Sequence, residues 1–473
     1  MQFPDRVYGM ENEFGVIIKK NGLYLPDTLM MIIAQSLLSP IKHSLASSAQ
    51  GSSRIWHSNG SCSYVDTGDH PEHASPECRT VRDLVRFVKA GEHLMKEIFS
   101  RPVPFSSSEK YLSLYKNNLG CDTKGNIVGE FGCHENYSIF NSFDKSRTHI
   151  DALLPFLITR QIIGGSGWWH IDGSYRYSQR AGAMCNDIGT TSASNRPLIN
   201  LRGDADTGDI HRLQLIFGDA NILEFALYLK VGITSLIISL IESGAMPAIS
   251  CHTPIQTMEV ISSSFDPFFP AVYVNNALRS AFEVQAMYLD MVHKVLPDAA
   301  FESEETEAEV RDIVLCWERT LNAIEHRDTP WLVGRLDWAT KKYLGDAAVA
   351  RANTTDTSSL HAIKKDIDIY YHSIFDRSLQ DYMNKKWPSR RIVSDTEINA
   401  AIIDPPHNTR AVLRGAFVKR IAQESPHHKR YIDWNACGDD DLTYSLFKFR
   451  NPLIVEHEKF NDFMEHYLRY FTR

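Results

Sequence analysis

The longest apolar run of the sequence is Ile222–Ile241, and any fold of this chain must shield it from water. The run is 20 residues long, but Glu224 and Lys230 interrupt it, and three hydroxyl side chains dilute its second half. A membrane-spanning helix needs about 20 apolar residues with few or no charges. We therefore predict a helix buried inside a large domain, and no membrane partner for the chain.

Size and composition are those of an ordinary globular protein. Hydrophobic residues make up 43% of the 473 residues and charged residues 23%, which is typical of such proteins. A chain of this length buries a sizeable core and favours one large domain with a small one. The formal net charge of −8 argues against a general nucleic-acid binder, because such proteins carry basic patches.

The cysteines predict a reducing compartment. The eight cysteines are scattered and form no CxxC pair, so the sequence indicates neither a zinc ribbon nor a disulfide framework. The first residues, MQFPDRVYGMENEF, lack the basic–apolar–small pattern of a signal peptide. We therefore expect the protein to be cytoplasmic.

The stretch Ser61–Glu77 concentrates acidic, histidine and tyrosine side chains in a short span. Tyr64-Val65-Asp66 predicts the end of a strand, which Gly68 and Pro71 then break into a turn. Tyr64 and Asp66 point to one face of that strand, since side chains alternate every residue. A carboxylate and a phenol at a strand end make an oxygen-rich site that suits Mg²⁺ and substrate phosphates. The alternative is a polar loop with turn and helix-capping duties.

A second acidic pair lies near the start of the chain. Glu11 and Glu13 occur in the segment GMENEFG, Gly9–Gly15, and share one face of a predicted strand. The other predicted elements follow from periodicity and turn residues. They are a strand over Arg6–Lys19, a helix over Asp27–Leu38, a loop over Ser44–Ser53, a hairpin of Arg54–His57 with Ser63–Asp66, a helix over Thr80–Phe99, strands over Tyr111–Asn117 and Phe131–Ile139, helices over Ile150–Ile163 and Thr396–Ile403, and mainly helix over 270–385.

Several motifs occur together in one order along the chain. They are GMENEFG, YVDTGDHPEHASPE from Tyr64, GCHENY from Gly132, LPFLITRQ from Leu154, SQR from Ser178, NRPLINLR from Asn195, TRA and LRG from Thr409, and Asp433-Trp434. The set resembles the family of prokaryotic ubiquitin-like protein (Pup) ligases and depupylases, which are relatives of glutamine synthetase and the carboxylate-amine ligases. The resemblance runs from Gly9 to Trp434, so it covers nearly the whole chain.

The resemblance implies a fold and a domain division. It implies an α+β protein with a glutamine synthetase-like curved antiparallel sheet packed with helices. The catalytic domain would span residues 1–400 and a small C-terminal domain residues 401–473. A break in the helical pattern between Arg391 and Pro406 marks the boundary, because Pro405 and Pro406 end the helix before them.

The resemblance also implies roles for individual residues. Glu11, Tyr64 and Glu72 fall where the family binds Mg²⁺, and Asp66 falls on its essential acidic residue. Ser75 replaces a threonine that contacts ATP, and Trp434 falls on an ATP-contacting tryptophan of the small domain.

Three arginines are candidates for phosphate contact, because a guanidinium fork binds phosphate through two hydrogen bonds. They are Arg180, Arg196 and Arg202. For each of them, the alternative is an ordinary surface salt bridge.

Two stretches depart from the family pattern. Cys62 stands where the family has a nucleotide-contacting arginine in its NGAR motif, and a thiol cannot replace a charge-assisted bond to phosphate. At Gly203–Asp209 the sequence GDADTGD replaces the family's EPHAD-containing run, which puts part of the substrate-side loop in question.

The resemblance implies a ligase that uses ATP and Mg²⁺ to activate the C-terminal glutamate of a small acidic Pup-like protein and joins it to a lysine of a target protein. Asp66 would take the proton of the lysine amine. The 45 residues from Gly15 to Gly60 (60 − 15) leave no room for the insertion of the depupylases, and Cys133 in GCHENY resembles the ligase branch. The alternatives are a depupylase or deamidase, a divergent carboxylate-amine ligase that does not act on Pup, and a binding module without activity.

Overall fold

The strands that carry the acidic motifs pair into an antiparallel ladder. In the computed structural model of the chain, five strands lie side by side in one order, with every neighbouring pair antiparallel. They are Tyr8–Glu13, His70–Ala74, Cys62–Asp66, Arg54–His57 and Ser44–Ser47. Direct hairpin turns join Arg54–His57 to Cys62–Asp66 and Cys62–Asp66 to His70–Ala74, which places the motif side chains on adjacent strands.

The chain divides into two compact units. The structure describes residues 2–20, 23–24, 44–47, 54–66, 68–101, 110–121, 127–143, 145–191, 195–203, 208–375, 379–424, 430–439 and 446–471. The first unit comprises Met1–Arg6 and Asn117–Ile392, and the second comprises Val7–Lys116 and Val393–Arg473. The segment after Val393 therefore belongs to the same unit as the acidic strands. A separate domain over residues 401–473 stays a prediction.

The second unit completes its ladder with helices and two small sheets. Helix Val81–Phe99 begins after Thr80, whose hydroxyl accepts the N–H of Asp83, and such a cap stabilises a helix by about 1 kcal/mol. The small sheets consist of Leu23–Tyr24, Gly15–Lys20 and Lys110–Tyr115, and of Arg430–Asp433, Ala436–Asp439 and Phe447–Lys448. The further helices are Asp395–Ile403, Ala411–Glu424 and Phe460–Phe471.

The first unit combines a four-stranded sheet with most of the helices. The sheet order is Asn186–Gly189, Pro197–Asn200, Ile210–Leu215, Cys133–Phe140, with the first pair parallel and the others antiparallel. The helices of three turns or more are Arg147–Thr159, Pro254–Ser264, Glu224–Glu242, Ala281–Val295, Glu304–Glu325, Asp337–Ala352 and Thr357–Tyr370. Shorter strands and helices are Gln2–Phe3, Leu119–Cys121, Ile127–Glu130, Gln161–Gly164, Trp168–Trp169, Tyr175–Arg176, Pro270–Val274, Ala277–Ser280, Ala300–Phe301, Thr329–Leu332 and Leu379–Lys386.

The apolar run forms the central helix of the first unit. Within the described residues, Glu224–Glu242 has the length and composition of a membrane span, and 94% of its most apolar window is buried in the protein. Lys230 is buried too, and its ammonium donates to the carbonyl of Asp219 at 2.7 Å. The prediction of a buried core helix is therefore confirmed.

Some local predictions were wrong. Ser44–Ser47 is an edge strand and not a loop, because Leu45 packs into the core opposite Trp56. The strand predicted over Arg6–Lys19 is two strands separated at Phe14, whose N–H donates to the carbonyl of Pro71. Pro71 itself lies within strand His70–Ala74 and does not end one.

Two further elements differ in the first unit. The helix predicted over Ile150–Ile163 is two helices that meet at Arg160, and residues 270–280 form a β-hairpin within the mainly helical region. The predicted helix Asp27–Leu38 lies outside the described residues, as do residues 48–53 and 204–207 of the two predicted loops.

Candidate functional site

Four carboxylates converge on one face of the antiparallel ladder. Glu11, Glu13, Asp66 and Glu72, here called the carboxylate cluster, come from three neighbouring strands. Glu13 lies directly opposite Glu72, and Glu72 lies directly opposite Tyr64 on the next strand. Carboxylate oxygens of Glu13, Asp66 and Glu72 lie within 4.8 Å of one another, and those of Glu11 and Glu72 are equally close. The ladder register thus gathers side chains that are up to 61 positions apart (72 − 11).

Burial and mutual repulsion make the cluster a poor place for several negative charges. Glu72 is 1% exposed and Glu13 is 8% exposed. Burial raises the pKa of Glu72 well above its ordinary value, and the charges of Glu11, Glu13 and Asp66 raise it further. Burial, and then Glu72, likewise raise the pKa of Tyr64. A divalent cation fits this donor set, because it would neutralise the crowded oxygens and let them ionise.

Asp66 and His70 close the end of the cluster. They are directly opposite each other across the hairpin, and the N–H of Asp69 donates to the Asp66 carbonyl at 3.0 Å. Gly68 and Asp69 both have positive φ angles, 87° and 63°, which glycine and aspartate tolerate best in such a turn. The His70 ring lies 2.6 Å from the Glu13 carboxylate. Asp66 is half-buried, unlike Glu13 and Glu72.

Trp434 is held beside the ladder by an arginine. The Arg414 guanidinium donates to the Trp434 carbonyl at 2.7 Å and lies 4.8 Å from the centre of the Trp434 ring. Trp434 packs edge-on against Trp56, with ring centres 4.8 Å apart. Trp434 is half-buried and belongs to the unit that carries the carboxylate cluster.

The same arginine pairs with Glu77, the last residue of the acidic motif. Arg414 and Arg410 contact the Glu77 carboxylate at 2.5 and 2.7 Å. Burial raises the pKa of Glu77, but the two guanidinium groups outweigh it and lower that pKa to about 2. Glu77 is therefore ionised at neutral pH and ties the end of the motif to helix Ala411–Glu424.

Ser75 and Cys62 are both buried. The Ser75 hydroxyl accepts the N–H of Met10 at 3.0 Å and donates to the Pro76 carbonyl at 3.0 Å, so it links two chain segments. Cys62 is fully buried in an apolar cluster with Trp56, Phe417 and Ile432. Burial raises the pKa of Cys62 to about 12, so the thiol stays neutral.

The three predicted phosphate-binding arginines belong to the first unit. Arg180 is 5% exposed and donates to the carbonyl of Phe131 at 2.8 Å. Arg196 pairs with Glu130 at 2.6 Å, and Arg202 is exposed, with its backbone N–H bonded to Asn200. Their roles toward phosphate stay predictions.

Glu135 in the GCHENY motif has a structural partner. Arg160 contacts its carboxylate at 2.6 and 2.8 Å, and Tyr137 donates to it at 2.7 Å. Burial raises the pKa of Glu135, but Arg160 and Lys230 outweigh that and lower it. Arg160, in the LPFLITRQ motif, therefore anchors the strand that carries Glu135.

Sequence reasoning assigned no role to Glu13 in the cluster. Its spacing from Glu11 was the available indication, since residues two apart on a strand share a face. The sequence also did not predict the buried row of His57, Ser63 and His73. In this row the Ser63 hydroxyl lies 2.9 Å from a nitrogen of each imidazole ring. No spacing in the sequence marks this row, because it depends on strand register.

The chain is similar to proteins of one family along nearly its whole length. A family model described as Pup-ligase protein matches residues 6–437. A Pup–protein ligase of Renibacterium salmoninarum is 34% identical over 459 residues, which cover 94% of this chain and 94% of that protein. A Pup–protein ligase of Acidimicrobium ferrooxidans is 30% identical over 466 residues, covering 96% of this chain and 97% of that protein.

Two solved structures of Pup ligases are also similar to this chain. The ligase PafA in complex with Pup matches with a TM-score of 0.84 and 27% identity, covering 99% of this chain and 93% of that chain. PafA in complex with ADP matches with a TM-score of 0.74 and 26% identity, covering 88% of this chain and 90% of that chain. The predicted α+β fold is thereby confirmed. The chain belongs to the Pup-ligase protein family.

Proposed function

We propose that the chain is an ATP-dependent ligase that joins the side-chain carboxylate of the C-terminal glutamate of Pup to a lysine of a target protein. The observation that carries the proposal is the carboxylate cluster, which ends in the half-buried Asp66, in a chain of this family. Relatives named Pup–protein ligase and a PafA–Pup complex of the same fold support Pup as the partner. The PafA complex with ADP supports ATP as the second substrate.

Glu11, Tyr64 and Glu72 would hold Mg²⁺, with Glu13 as a further ligand that the structure adds to the predicted set. The fit rests on oxygen donors, close spacing and a buried carboxylate whose pKa is raised. When bound, the metal neutralises charge that develops on the transferring phosphoryl group. Glu11, Glu13 and Glu72 can then remain ionised side by side.

Other residues would bind the nucleotide. Trp434, which is half-buried, would contact the adenine ring, and Ser75 would act by fixing the backbone at Met10. Arg180, Arg196 and Arg202 are proposed for phosphate contact. Arg414 holds Trp434 in position, because its guanidinium packs on the indole ring and donates a hydrogen bond to the Trp434 carbonyl.

The reaction we propose has two steps. In the first, an oxygen of the glutamate carboxylate attacks the terminal phosphorus of ATP, and ADP leaves with the electrons of the broken bond. In the second, the lysine amine attacks the activated carbonyl carbon and phosphate leaves. A lysine amine is protonated at neutral pH, with an ordinary pKa of about 10.4, so a base must take its proton. Asp66 would take that proton, and its half-buried position at the end of the cluster, directly opposite His70, supports this role.

We place this reaction in the cytoplasm. Seven of the eight cysteines are free thiols, as expected where disulfides are kept reduced.

Product analysis tests the proposal. The purified chain is incubated with Pup, a lysine-bearing target protein, ATP and Mg²⁺, and both ADP and conjugate are measured. We expect one ADP per conjugate, and no conjugate when any component is omitted. Release of Pup from a preformed conjugate without matching ATP use would establish the hydrolase alternative. ATP turnover that ignores Pup would establish the divergent ligase.

A further inference from the structure

The first observation is a straight row of side chains across four strands of the ladder. Arg54 lies directly opposite Tyr64, Tyr64 opposite Glu72, and Glu72 opposite Glu13. Directly opposite residues of an antiparallel pair point to the same face of a sheet. A cation therefore stands at one end of the row, and the buried carboxylates of Glu72 and Glu13 lie two and three strand spacings away, or about 10 and 14 Å.

The second observation is how Arg54 is held. Its guanidinium carbon lies 5.1 Å from the centre of the Tyr64 ring, so the planar group rests on the ring. Arg54 is partly exposed, unlike the carboxylates of Glu13 and Glu72 that share its row. Arg54 therefore has contact with solvent on the face where the carboxylate cluster would hold a metal and phosphate.

The third observation concerns Cys62, the position at which the sequence lacks the arginine that its motif predicts. Trp56 lies directly opposite Cys62, so Arg54 is the diagonal neighbour of Cys62 on the same face. Among the charged side chains around Cys62, Arg54 has the largest effect on the pKa of the thiol. Its charge lowers that pKa, whereas burial raises it. The positive charge missing from strand Cys62–Asp66 is thus present on the adjacent strand.

Neither other arginine near Cys62 is as accessible. Arg414 is fully buried, and its guanidinium is committed to Glu77, the Gly60 carbonyl and the Trp434 carbonyl. Arg410 is 8% exposed and bonds Glu77 and the carbonyl of Arg450. Both hold the protein together and present little surface to a ligand.

We propose that Arg54 binds the phosphates of the nucleotide, so that in this chain the phosphate-binding cation has moved from position 62 to the neighbouring strand. The inference rests on the proposed function, since it names a residue of the same nucleotide site. A guanidinium fork on an aromatic ring is oriented for two hydrogen bonds to phosphate oxygens. The metal, held through Tyr64 and Glu72, and Arg54 would then contact the phosphates from neighbouring strands.

Equilibrium binding of ADP in the presence of Mg²⁺, measured by calorimetry on the full chain, tests this role. Arg54→Met keeps an unbranched side chain to pack on Tyr64 and removes the charge. We expect ADP to bind roughly 10- to 100-fold more weakly, because a hydrogen bond to a charged group is worth about 1.5–3 kcal/mol. Adenosine, which has no phosphate, should bind the wild type and the variant equally. Arg54→Lys, which keeps a charge but not the fork, should fall between them.

A matched control is Lys419→Met, which removes a half-exposed cation from helix Ala411–Glu424 of the same unit. Its ADP affinity should equal that of the wild type. Unchanged ADP affinity in Arg54→Met would overturn the inference and leave the proposed function intact. Equal losses for ADP and adenosine would also overturn it, because they would indicate a distorted site and not a lost phosphate contact. A wild-type chain that binds no ADP would instead refute the nucleotide site as a whole.

Discussion

Glu77 forms an ion pair with Arg414, which lies 337 residues further along the chain. The glutamate ends the acidic motif, and the arginine lies on helix Ala411–Glu424 with its side chain fully buried. Arg410 joins the pair from the preceding turn. One carboxylate and two guanidinium groups thus link the N-terminal and C-terminal segments of the second unit.

Replacing Glu77 by glutamine should destabilise the second unit by about 3–5 kcal/mol, because it leaves the buried Arg414 without its counter-charge. Urea unfolding followed by tryptophan fluorescence would measure the loss, since Trp56 and Trp434 lie against Arg414. Asp404→Asn is the control, because Asp404 and its partner Lys419 are exposed by 66% and 49%. That exposed pair should contribute less than about 1 kcal/mol. Equal effects of the two substitutions would contradict the prediction.

The buried histidine row should make the second unit sensitive to acid. Burial lowers the pKa of His73 from 6.5 to about 3, and burial and then His73 lower that of His57. Below about pH 6.5, His73 of the unfolded chain is protonated, whereas His73 of the folded chain stays neutral down to about pH 3. Protonation therefore favours the unfolded chain, and the folded protein loses stability as the pH falls from 6.5 toward 3. The expected slope from His73 alone is about 1.4 kcal/mol per pH unit.

Comparing unfolding midpoints between pH 7.5 and 4.5 checks this slope. His73→Asn should flatten it, since asparagine does not titrate and its amide oxygen can still accept from Ser63. The exposed His466 provides the control as His466→Asn. The prediction fails if wild type and His73→Asn lose stability in parallel over this range.

Asp66→Asn should abolish turnover while leaving the fold and nucleotide affinity in place. The substitution keeps the size of the side chain and removes the proposed base, and loss of a general base typically costs about 10²–10⁴-fold in rate. Conjugation rate and ADP affinity are measured on the same preparation. Near-normal turnover would refute the assignment of Asp66. A parallel loss of nucleotide binding would instead make Asp66 a metal ligand and direct the search for a base to His70, directly opposite.

Glu72→Gln should weaken metal binding by at least ten-fold, because Glu72 lies between Tyr64 and Glu13 at the centre of the cluster. Paramagnetic Mn²⁺ can be titrated in place of Mg²⁺ and followed by electron paramagnetic resonance. Chelation should abolish conjugation, and added Mg²⁺ should restore it. Glu97→Gln, on the exposed face of helix Val81–Phe99, is the matched control. Mn²⁺ affinity that is the same in both variants would argue against a metal at this cluster.

Local patterns determined much of the secondary structure. The continuous apolar run Ile222–Ile241 predicted a buried helix, and the turn residues at 58–60 predicted the hairpin that brings Arg54 opposite Tyr64. These predictions succeeded because hydrophobic periodicity and turn residues act over a few neighbours. Edge strand Ser44–Ser47 was missed, because its small residues have little strand propensity and its pairing depends on Leu45 reaching a distant core.

The sequence by itself identified the family and the strands that carry its acidic motifs, since these motifs occur in a fixed order along the chain. Only the tertiary structure decided how those residues meet. Register across four strands placed Glu13 opposite Glu72 and Arg54 opposite Tyr64. Folding also buried Arg414 against Glu77 and left Arg54 partly exposed. Because the Arg414 guanidinium is fully buried with its counter-ion Glu77, it has no surface that a ligand could contact.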